Sequence, residues 1–106
     1  MVIMIDLDGT LCTEELPENR AYAKPLPGAV EAVSRFIAKG HIVVIWTGRG
    51  WPEYQMTRTW LKENGFHYNE LLMGKPIANL IIDDRSRDFE GWDKDYLETI
   101  RPEHRR

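Results

Sequence analysis

Side chains that can do chemistry follow each of four short apolar runs in this chain. Asp6 and Asp8 follow the first run, Thr47 the second, Lys75 the third, and the adjacent pair Asp83 and Asp84 the fourth. Two carboxylates about 4 Å apart repel each other by roughly 4 kcal/mol at an effective dielectric constant near 20. Four acids brought together would therefore protonate, spread apart or share a cation, and oxygen ligands of this kind favour Mg²⁺.

The remaining two side chains add hydrogen-bond donors and positive charge. The hydroxyl of Thr47, nearby loop amides and the ammonium group of Lys75 would lie beside that cation, an arrangement that suits a phosphoryl group. Zinc is disfavoured, because the three histidines are far apart in the sequence and Cys12 is the only cysteine. The residue types therefore indicate a hard metal ion and a phosphorylated ligand.

The elements that must position these residues alternate along the chain. Apolar runs predict strands over 2–6, 42–46, 71–73 and 80–82, and helical spacing predicts helices between Pro27 and Gly40 and between Pro52 and Gly65. A short terminal helix is expected near Tyr96. This alternation predicts an α/β fold, a Rossmann-like three-layer sandwich with a mainly parallel central sheet. The carboxyl ends of parallel strands share one edge, so the six side chains are expected to converge there.

Length and composition indicate one globular domain over 1–106. The chain is 42% hydrophobic and 29% charged, which argues against disorder, and its net charge of −3 gives no general attraction to nucleic acid or anionic membrane. No apolar stretch approaches the ~20 residues of a membrane span. A single cysteine excludes an internal disulfide and favours the cytoplasm. Residues 11–26 are expected to form a flap loop and 102–106 a frayed tail.

The ordered set of strand-end residues resembles a known superfamily. The segment Asp6-Leu7-Asp8-Gly9-Thr10, then Thr47, Lys75 and Asp83-Asp84, is similar to the four motifs of the haloacid dehalogenase (HAD) phosphohydrolases. Within that superfamily, residues 60–76 and the ending Ile-Asp-Asp-Arg are similar to small phosphatases of capsular-polysaccharide biosynthesis. The segment Thr47-Gly48-Arg49 is similar to polynucleotide 3′-phosphatase domains.

The resemblance implies a role for each motif in phosphomonoester hydrolysis. Asp6 would attack phosphorus and form an aspartyl phosphate. Asp8 would protonate the leaving oxygen and then accept a proton from the hydrolytic water. Thr47 would hydrogen-bond a phosphoryl oxygen, and Lys75 would offset negative charge.

The resemblance also implies a Mg²⁺ site. The ion would touch the Asp6 carboxylate, the Asp8 backbone carbonyl and one acid of the pair, with Asp84 favoured as the direct ligand. Asp83 would then hold a metal-bound water or orient Lys75.

The loop after Thr47 supplies candidate substrate contacts, namely Gly48, Arg49 and Trp51. Surface ion pairing is the alternative for Arg49. Trp51 would either stack on a base or sugar or pack as a partly buried anchor.

The spacing of the motifs leaves no room for a cap domain. Asp6 and Thr47 are 41 positions apart, and Thr47 and Lys75 are 28 apart. Neither interval holds a domain of ~50 residues. A capless site needs either a large substrate or a neighbouring subunit to cover it, so a homo-oligomer is one expectation.

Several functions compete. A sugar phosphate or another small phosphomonoester is the favoured substrate, ahead of a polynucleotide or nucleotide 3′-phosphate. A phospho-acceptor regulatory domain without turnover is a further alternative, although there the acid pair comes first in the chain and here it comes last. A binding protein that lost the chemistry ranks below these.

Overall fold

A computed structural model describes residues 1–105. Its strands and α-helices alternate as β1 (Val2–Ile5), α1 (Ala29–Ala38), β2 (Ile42–Trp46), α2 (Tyr54–Glu63) and β3 (Glu70–Leu72). Four 3₁₀ segments complete the regular structure: Pro17–Tyr22, Trp51–Glu53, Tyr96–Thr99 and Pro102–His104. Arg106, the last residue of the predicted tail, lies outside the described residues, and the fraying of 102–106 stays a prediction.

The three strands form one parallel sheet in the order β1-β2-β3. Val2 pairs with Ile42 and Ile5 with Ile45, and on the other side of β2 Val44 pairs with Glu70. All three carboxyl ends therefore lie at the same edge of the sheet, and the predicted α/β fold with a parallel sheet is confirmed.

Both helices begin and end where the sequence predicts, to within a few residues. The buried residues of α2 are Thr57, Trp60 and Leu61, which are spaced as one face of a helix. The chain leaves α1 through Gly40 at φ +86° and leaves α2 through Gly65 at φ +80°. Residues with a Cβ rarely adopt this left-handed conformation, so glycine ends both helices.

The core lies between the helices and one face of the sheet. Ile5, Val43, Ile45 and Leu71 belong to this cluster together with the buried faces of α1 and α2. Both crossovers step in the same direction along the sheet, and right-handed connections place α1 and α2 on the same face. On the other face, Val44 is buried but lies outside the main cluster.

The predicted fourth strand over 80–82 is wrong. Within residues 1–105, no backbone hydrogen bond joins this segment to the sheet, and Ile82 is 90% exposed. The run begins only five positions after Lys75, whose amide is bonded to Thr47 at the carboxyl end of β2. A new parallel strand must start at the opposite end of the sheet, and such crossovers usually take a dozen residues or more.

Aromatic residues attach the C-terminal segment to α1. The rings of Phe89 and Tyr96 lie 5.2 and 5.6 Å from Trp92, and Phe36 on α1 packs against the same indole at 6.4 Å. The indole nitrogen of Trp92 donates to the carbonyl of Thr10 at 2.7 Å. The expected terminal helix is thus a 3₁₀ segment, Tyr96–Thr99, packed against the rest of the fold.

Candidate active site

The loop after β1 carries the first two acids. Leu7 is completely buried, and its carbonyl accepts hydrogen bonds from the amides of Thr10 and Leu11 at 3.1 and 2.8 Å. Gly9, at φ +80°, allows the turn. Asp6 and Asp8 flank Leu7 in the chain and are both partly exposed, so the loop presents the two acids at the surface.

Asp6 faces the ammonium group of Lys75. The Lys75 Nζ atom lies 3.9 Å from Asp6 Oδ1. Burial raises the pKa of Asp6 above its usual value, and the carboxylates of Asp8 and Glu14 act in the same direction. The Lys75 charge and the Leu7 amide lower this pKa, but burial outweighs them.

Three backbone hydrogen bonds join the ends of β2 and β3, the first from the Thr47 amide to the Leu72 carbonyl at 2.9 Å. The Lys75 amide donates to the carbonyl of Thr47, and the Gly74 amide donates to that of Arg49, both at 2.9 Å. The Lys75 ammonium lies 5.4 Å from the ring centre of Trp46. The structure therefore brings Asp6, Thr47 and Lys75 to one edge of the sheet, while their chemical roles stay predictions.

Thr47 lies beneath the surface of this edge. It is completely buried, and its Oγ1 atom accepts a hydrogen bond from the Arg49 amide at 3.1 Å. No part of Thr47 reaches the surface, so its position suits holding the loop rather than the predicted contact with a phosphoryl oxygen. Gly48, the next residue, is exposed and keeps its place as a candidate substrate contact.

Arg49 is placed differently from the prediction. Its side chain is 0% exposed and makes a two-pronged ion pair with Asp8, from Nη2 to Oδ1 at 2.7 Å and from Nε to Oδ2 at 3.0 Å. The Nη1 atom donates to Thr57 Oγ1 on α2 at 3.0 Å. The guanidinium is buried behind Asp8, so the pair is not the surface ion pair given as the alternative, and a contact between Arg49 and a substrate stays a prediction.

Trp51 is exposed at the start of the 3₁₀ segment that precedes α2. It is 62% exposed, and its ring lies 5.4 Å from that of Tyr54. The exposed face favours stacking on a ligand over the alternative of a partly buried anchor.

The acid pair lies apart from the other acids. Asp84 Oδ2 is 3.2 Å from His104 Nε2, and Asp83 Oδ1 accepts a hydrogen bond from the Arg85 amide at 3.0 Å. Over 1–105, no group of three or more histidine, cysteine or acidic side chains is placed to hold a metal ion. The expected convergence of all four acids is therefore wrong. The physical reason is that the segment that would carry Asp83 and Asp84 to the sheet edge does not pair as a strand.

This placement leaves the predicted Mg²⁺ site incomplete. Of the implied ligands, only the Asp6 carboxylate and the Asp8 backbone carbonyl belong to the loop after β1. Asp84, the ligand favoured from the sequence, pairs with His104. The described residues do not fit the full predicted ligand set.

Sequence reasoning missed two contacts around the site. Arg20, in the 11–26 segment, donates to both carboxylate oxygens of Glu53 at 2.8 and 2.7 Å, which joins this segment to the start of α2. Thr57 holds Arg49 from α2. A signal for Thr57 existed, because it is a polar residue on the apolar face of a predicted helix, whereas nothing in the sequence pairs Arg20 with Glu53.

Cys12 ends the same loop and is buried. Burial and the Asp8 carboxylate raise the pKa of its thiol to about 12. A protonated, enclosed thiol is a poor nucleophile.

None of the helices within 1–105 combines the length and apolar content that crossing a membrane requires.

The fold is similar to three solved structures. A protein from Vibrio cholerae has a TM-score of 0.72 and 23% identity, with coverage of 92% of this chain and 91% of that one. A chain of the Pnkp1/Rnl/Hen1 complex has a TM-score of 0.62 and 24% identity over 79% of this chain and 30% of that one. A D,D-heptose 1,7-bisphosphate phosphatase from B. bronchiseptica, crystallised with magnesium and phosphate, has a TM-score of 0.53 and 17% identity over 68% and 48%. At these identities the likeness establishes the fold only.

The sequence comparison is more specific about the family. No curated protein matches the chain. Residues 3–83 match the profile of the haloacid dehalogenase-like hydrolases, and this range contains Asp6, Asp8, Thr47 and Lys75. The chain belongs to the haloacid dehalogenase-like hydrolase family.

Proposed function

We propose that this chain is a phosphomonoester hydrolase that works through Asp6. The observation that carries the proposal is the position of Asp6 at the carboxyl end of β1, 3.9 Å from the Lys75 ammonium and two residues from Asp8. A carboxylate nucleophile, a second carboxyl group and a cation are what phosphoryl transfer needs at one point. Membership of a hydrolase family supports the same chemistry.

The proposed reaction has two steps. In the first, an Asp6 carboxylate oxygen attacks phosphorus, the bond from phosphorus to the leaving oxygen breaks, and Asp8 gives its proton to that oxygen. In the second, water loses a proton to Asp8 while its oxygen attacks phosphorus, and the bond from phosphorus to Asp6 breaks. Phosphate leaves, and both acids return to their starting states.

Lys75 and the loop around Thr47 support this reaction from the neighbouring strand ends. The Lys75 ammonium offsets the charge of the phosphoryl oxygens as they approach Asp6. Thr47 acts through its carbonyl and its hydroxyl, which accept hydrogen bonds from the amides of Lys75 and Arg49 and so fix these two residues in place.

Mg²⁺ is the proposed cofactor. The support comes from the family and from the magnesium in the heptose bisphosphate phosphatase structure. Because the described residues supply an incomplete ligand set, no step of the reaction is assigned to the ion.

The proposed substrate is a sugar phosphate or another small phosphomonoester, acted on in the cytoplasm. The site is proposed to be capless, because the intervals between the motifs hold only α1, β2, α2, β3 and short 3₁₀ segments. A large substrate or a second copy of the chain would cover it. The exposed ring of Trp51 favours a second candidate, a nucleotide or polynucleotide 3′-phosphate, since bases stack on such rings.

The test is hydrolysis of p-nitrophenyl phosphate in Mg²⁺. We expect Asp6→Asn to lower kcat by about 1000-fold or more, because the nucleophile is lost. Asp88→Asn, a change of the same kind at an exposed acid, should leave kcat unchanged. EDTA should abolish the activity and added Mg²⁺ restore it. Equal rates for the wild type and Asp6→Asn would contradict the assignment.

Two further measurements separate the alternatives. A panel of phosphosugars, nucleotides and 3′-phosphorylated oligonucleotides ranks the substrate classes by kcat/KM. A long-lived aspartyl phosphate after treatment with acetyl phosphate, without release of phosphate, would instead favour a regulatory phospho-acceptor domain.

A further inference from the structure

Arg49 is a charged residue with none of its side chain exposed, and all three of its guanidinium nitrogens are engaged. Nε and Nη2 bind the two oxygens of Asp8 at 3.0 and 2.7 Å, and Nη1 binds Thr57 Oγ1 at 3.0 Å. Its backbone is fixed as well, because its amide donates to Thr47 Oγ1 and its carbonyl accepts from the Gly74 amide. The guanidinium group is therefore held by the loop after β1 and by α2, and the backbone of Arg49 is held by the ends of β2 and β3.

We propose that Arg49 is a positioning residue for Asp8: it fixes the orientation in which the Asp8 carboxyl group exchanges a proton with the leaving oxygen and with water. This inference rests on the proposed function, in which Asp8 is the proton donor and acceptor. It is a different role from the direct substrate contact that the sequence indicated for Arg49.

The geometry of the pair supports positioning. A planar guanidinium that binds both oxygens of a carboxylate holds that carboxylate in one orientation, whereas a single hydrogen bond allows many orientations. Asp8 Oδ1 also accepts a weak hydrogen bond from the Cys12 thiol at 3.8 Å, whereas Oδ2 has no partner besides Arg49 within residues 1–105, and 19% of the Asp8 side chain remains exposed. Arg49 thus fixes the Asp8 carboxyl group on its buried side, while part of the group stays accessible at the surface.

Stability alone does not account for this arrangement. Replacing a buried ion pair with apolar side chains of similar volume is often neutral or stabilising, because the two charges lose their hydration. Arg49 is buried beside Thr47 and Thr57, which are both completely buried. Apolar residues would serve stability at such a position at least as well. Here the buried polar groups of Arg49, Thr47 and Thr57 instead orient a single carboxylate, that of Asp8.

The test compares two leaving groups. p-Nitrophenolate is a stable anion and leaves without a proton, whereas an alkoxide from an alkyl phosphate needs one from Asp8. Arg49→Lys keeps the charge but replaces the planar contact through two nitrogens with a single, freely rotating ammonium group. We expect it to lower kcat/KM for the alkyl phosphate by about 100-fold, the usual cost of a misplaced catalytic group, with little change for p-nitrophenyl phosphate.

A double variant sharpens the result. Asp8→Asn removes the proton donor and should show the same selective loss in kcat/KM for the alkyl phosphate, because kcat/KM does not include the later step, common to both substrates, in which Asp8 accepts a proton from water. If Arg49 acts through Asp8, adding Arg49→Lys to Asp8→Asn lowers this rate no further. Additive losses in the double variant would overturn the proposal.

The control is Arg20→Lys, in which the other guanidinium bound to both oxygens of a carboxylate receives the same change. The ratio of the alkyl to the aryl rate should stay at the wild-type value. Folding of each variant is followed by circular dichroism. If Arg49→Lys fails to fold, Thr57→Val, which removes one anchor of the guanidinium, should shift the ratio in the same direction by a smaller factor.

The outcomes separate the two proposals. A wild type that hydrolyses neither substrate refutes the proposed function. A wild type active on both, together with a folded Arg49→Lys that loses both equally or neither, refutes the role of Arg49 and leaves the phosphatase intact.

Discussion

Asp6, the proposed nucleophile, lies where burial works against the charge that this role requires. It is partly buried, and the carboxylates of Asp8 and Glu14 lie near enough to raise its pKa in addition to the effect of burial. The positive charge of Lys75 offsets only part of this increase in the pKa of Asp6. The folded state is therefore less stable with Asp6 ionised than with Asp6 in its neutral, protonated form.

This conflict predicts that Asp6→Asn stabilises the metal-free protein at neutral pH. A carboxyl group whose pKa is raised by folding destabilises the native state when it is ionised and has no such effect once both states are protonated. We expect a higher Tm for Asp6→Asn at pH 7, with the gain shrinking as the pH falls through the ordinary range of an aspartate. Thermal melts in EDTA at several pH values measure this. A lower Tm at pH 7, or a gain that grows on acidification, would contradict it.

The sequence predicted part of this site. Asp6, Asp8, Thr47 and Lys75 follow strands that pair in parallel, and the sharing of one edge by parallel strand ends brought them together. The pairing of Arg49 with Asp8 could not be predicted from the sequence, because it depends on the position of Thr57 on α2, which binds the same guanidinium group. An arginine in a polar loop gives no sign in the sequence that it will be buried.

At the scale of elements, apolar runs predicted every strand that has a partner. The runs that became β1, β2 and β3 are separated by helices long enough to return the chain to the start of the sheet. The run over 80–82 has the same composition but lacks such a return. Local composition reports the tendency to form a strand, whereas pairing depends on the length of the connection.

A pair of identical substitutions tests this difference. Ile45 is completely buried in β2 and Ile82 is 90% exposed. Ile45→Ala should lower the free energy of unfolding by about 2–5 kcal/mol, because it leaves a cavity in the core. Ile82→Ala should change it by less than about 0.5 kcal/mol. Urea unfolding measures both, and equal losses would mean that residues 80–82 are packed against the sheet.

At the scale of the whole molecule, one group of exposed apolar side chains lies on β1 and its neighbour β2. The strand β1 is at the edge of the sheet, and Val2, Met4 and Ile42 are all exposed. Four further exposed apolar side chains follow Lys75: Ile77, Leu80, Ile81 and Ile82. Soluble monomers rarely expose apolar surface in such quantity, and an unpaired strand edge is open to another chain.

We therefore expect the protein to self-associate reversibly. Sedimentation velocity should show a mean mass that rises above that of the monomer with concentration. Met4→Lys, which places a charge on the edge strand, should return the protein toward the monomer. A Met4→Lys variant that associates as strongly as the wild type would exclude β1 from the contact.

The hydrogen bond from Trp92 to Thr10 bears on how the chain can be shortened. The family profile stops at residue 83, which would suggest a natural boundary for expressing a minimal fragment. Such a fragment would lack the indole that satisfies the Thr10 carbonyl, two residues beyond Asp8. The turn that carries Asp6 and Asp8 is braced by a residue outside the matched range, so a protein truncated at residue 83 would keep Asp6, Asp8, Thr47 and Lys75 but would lose Asp84 and this support of the turn.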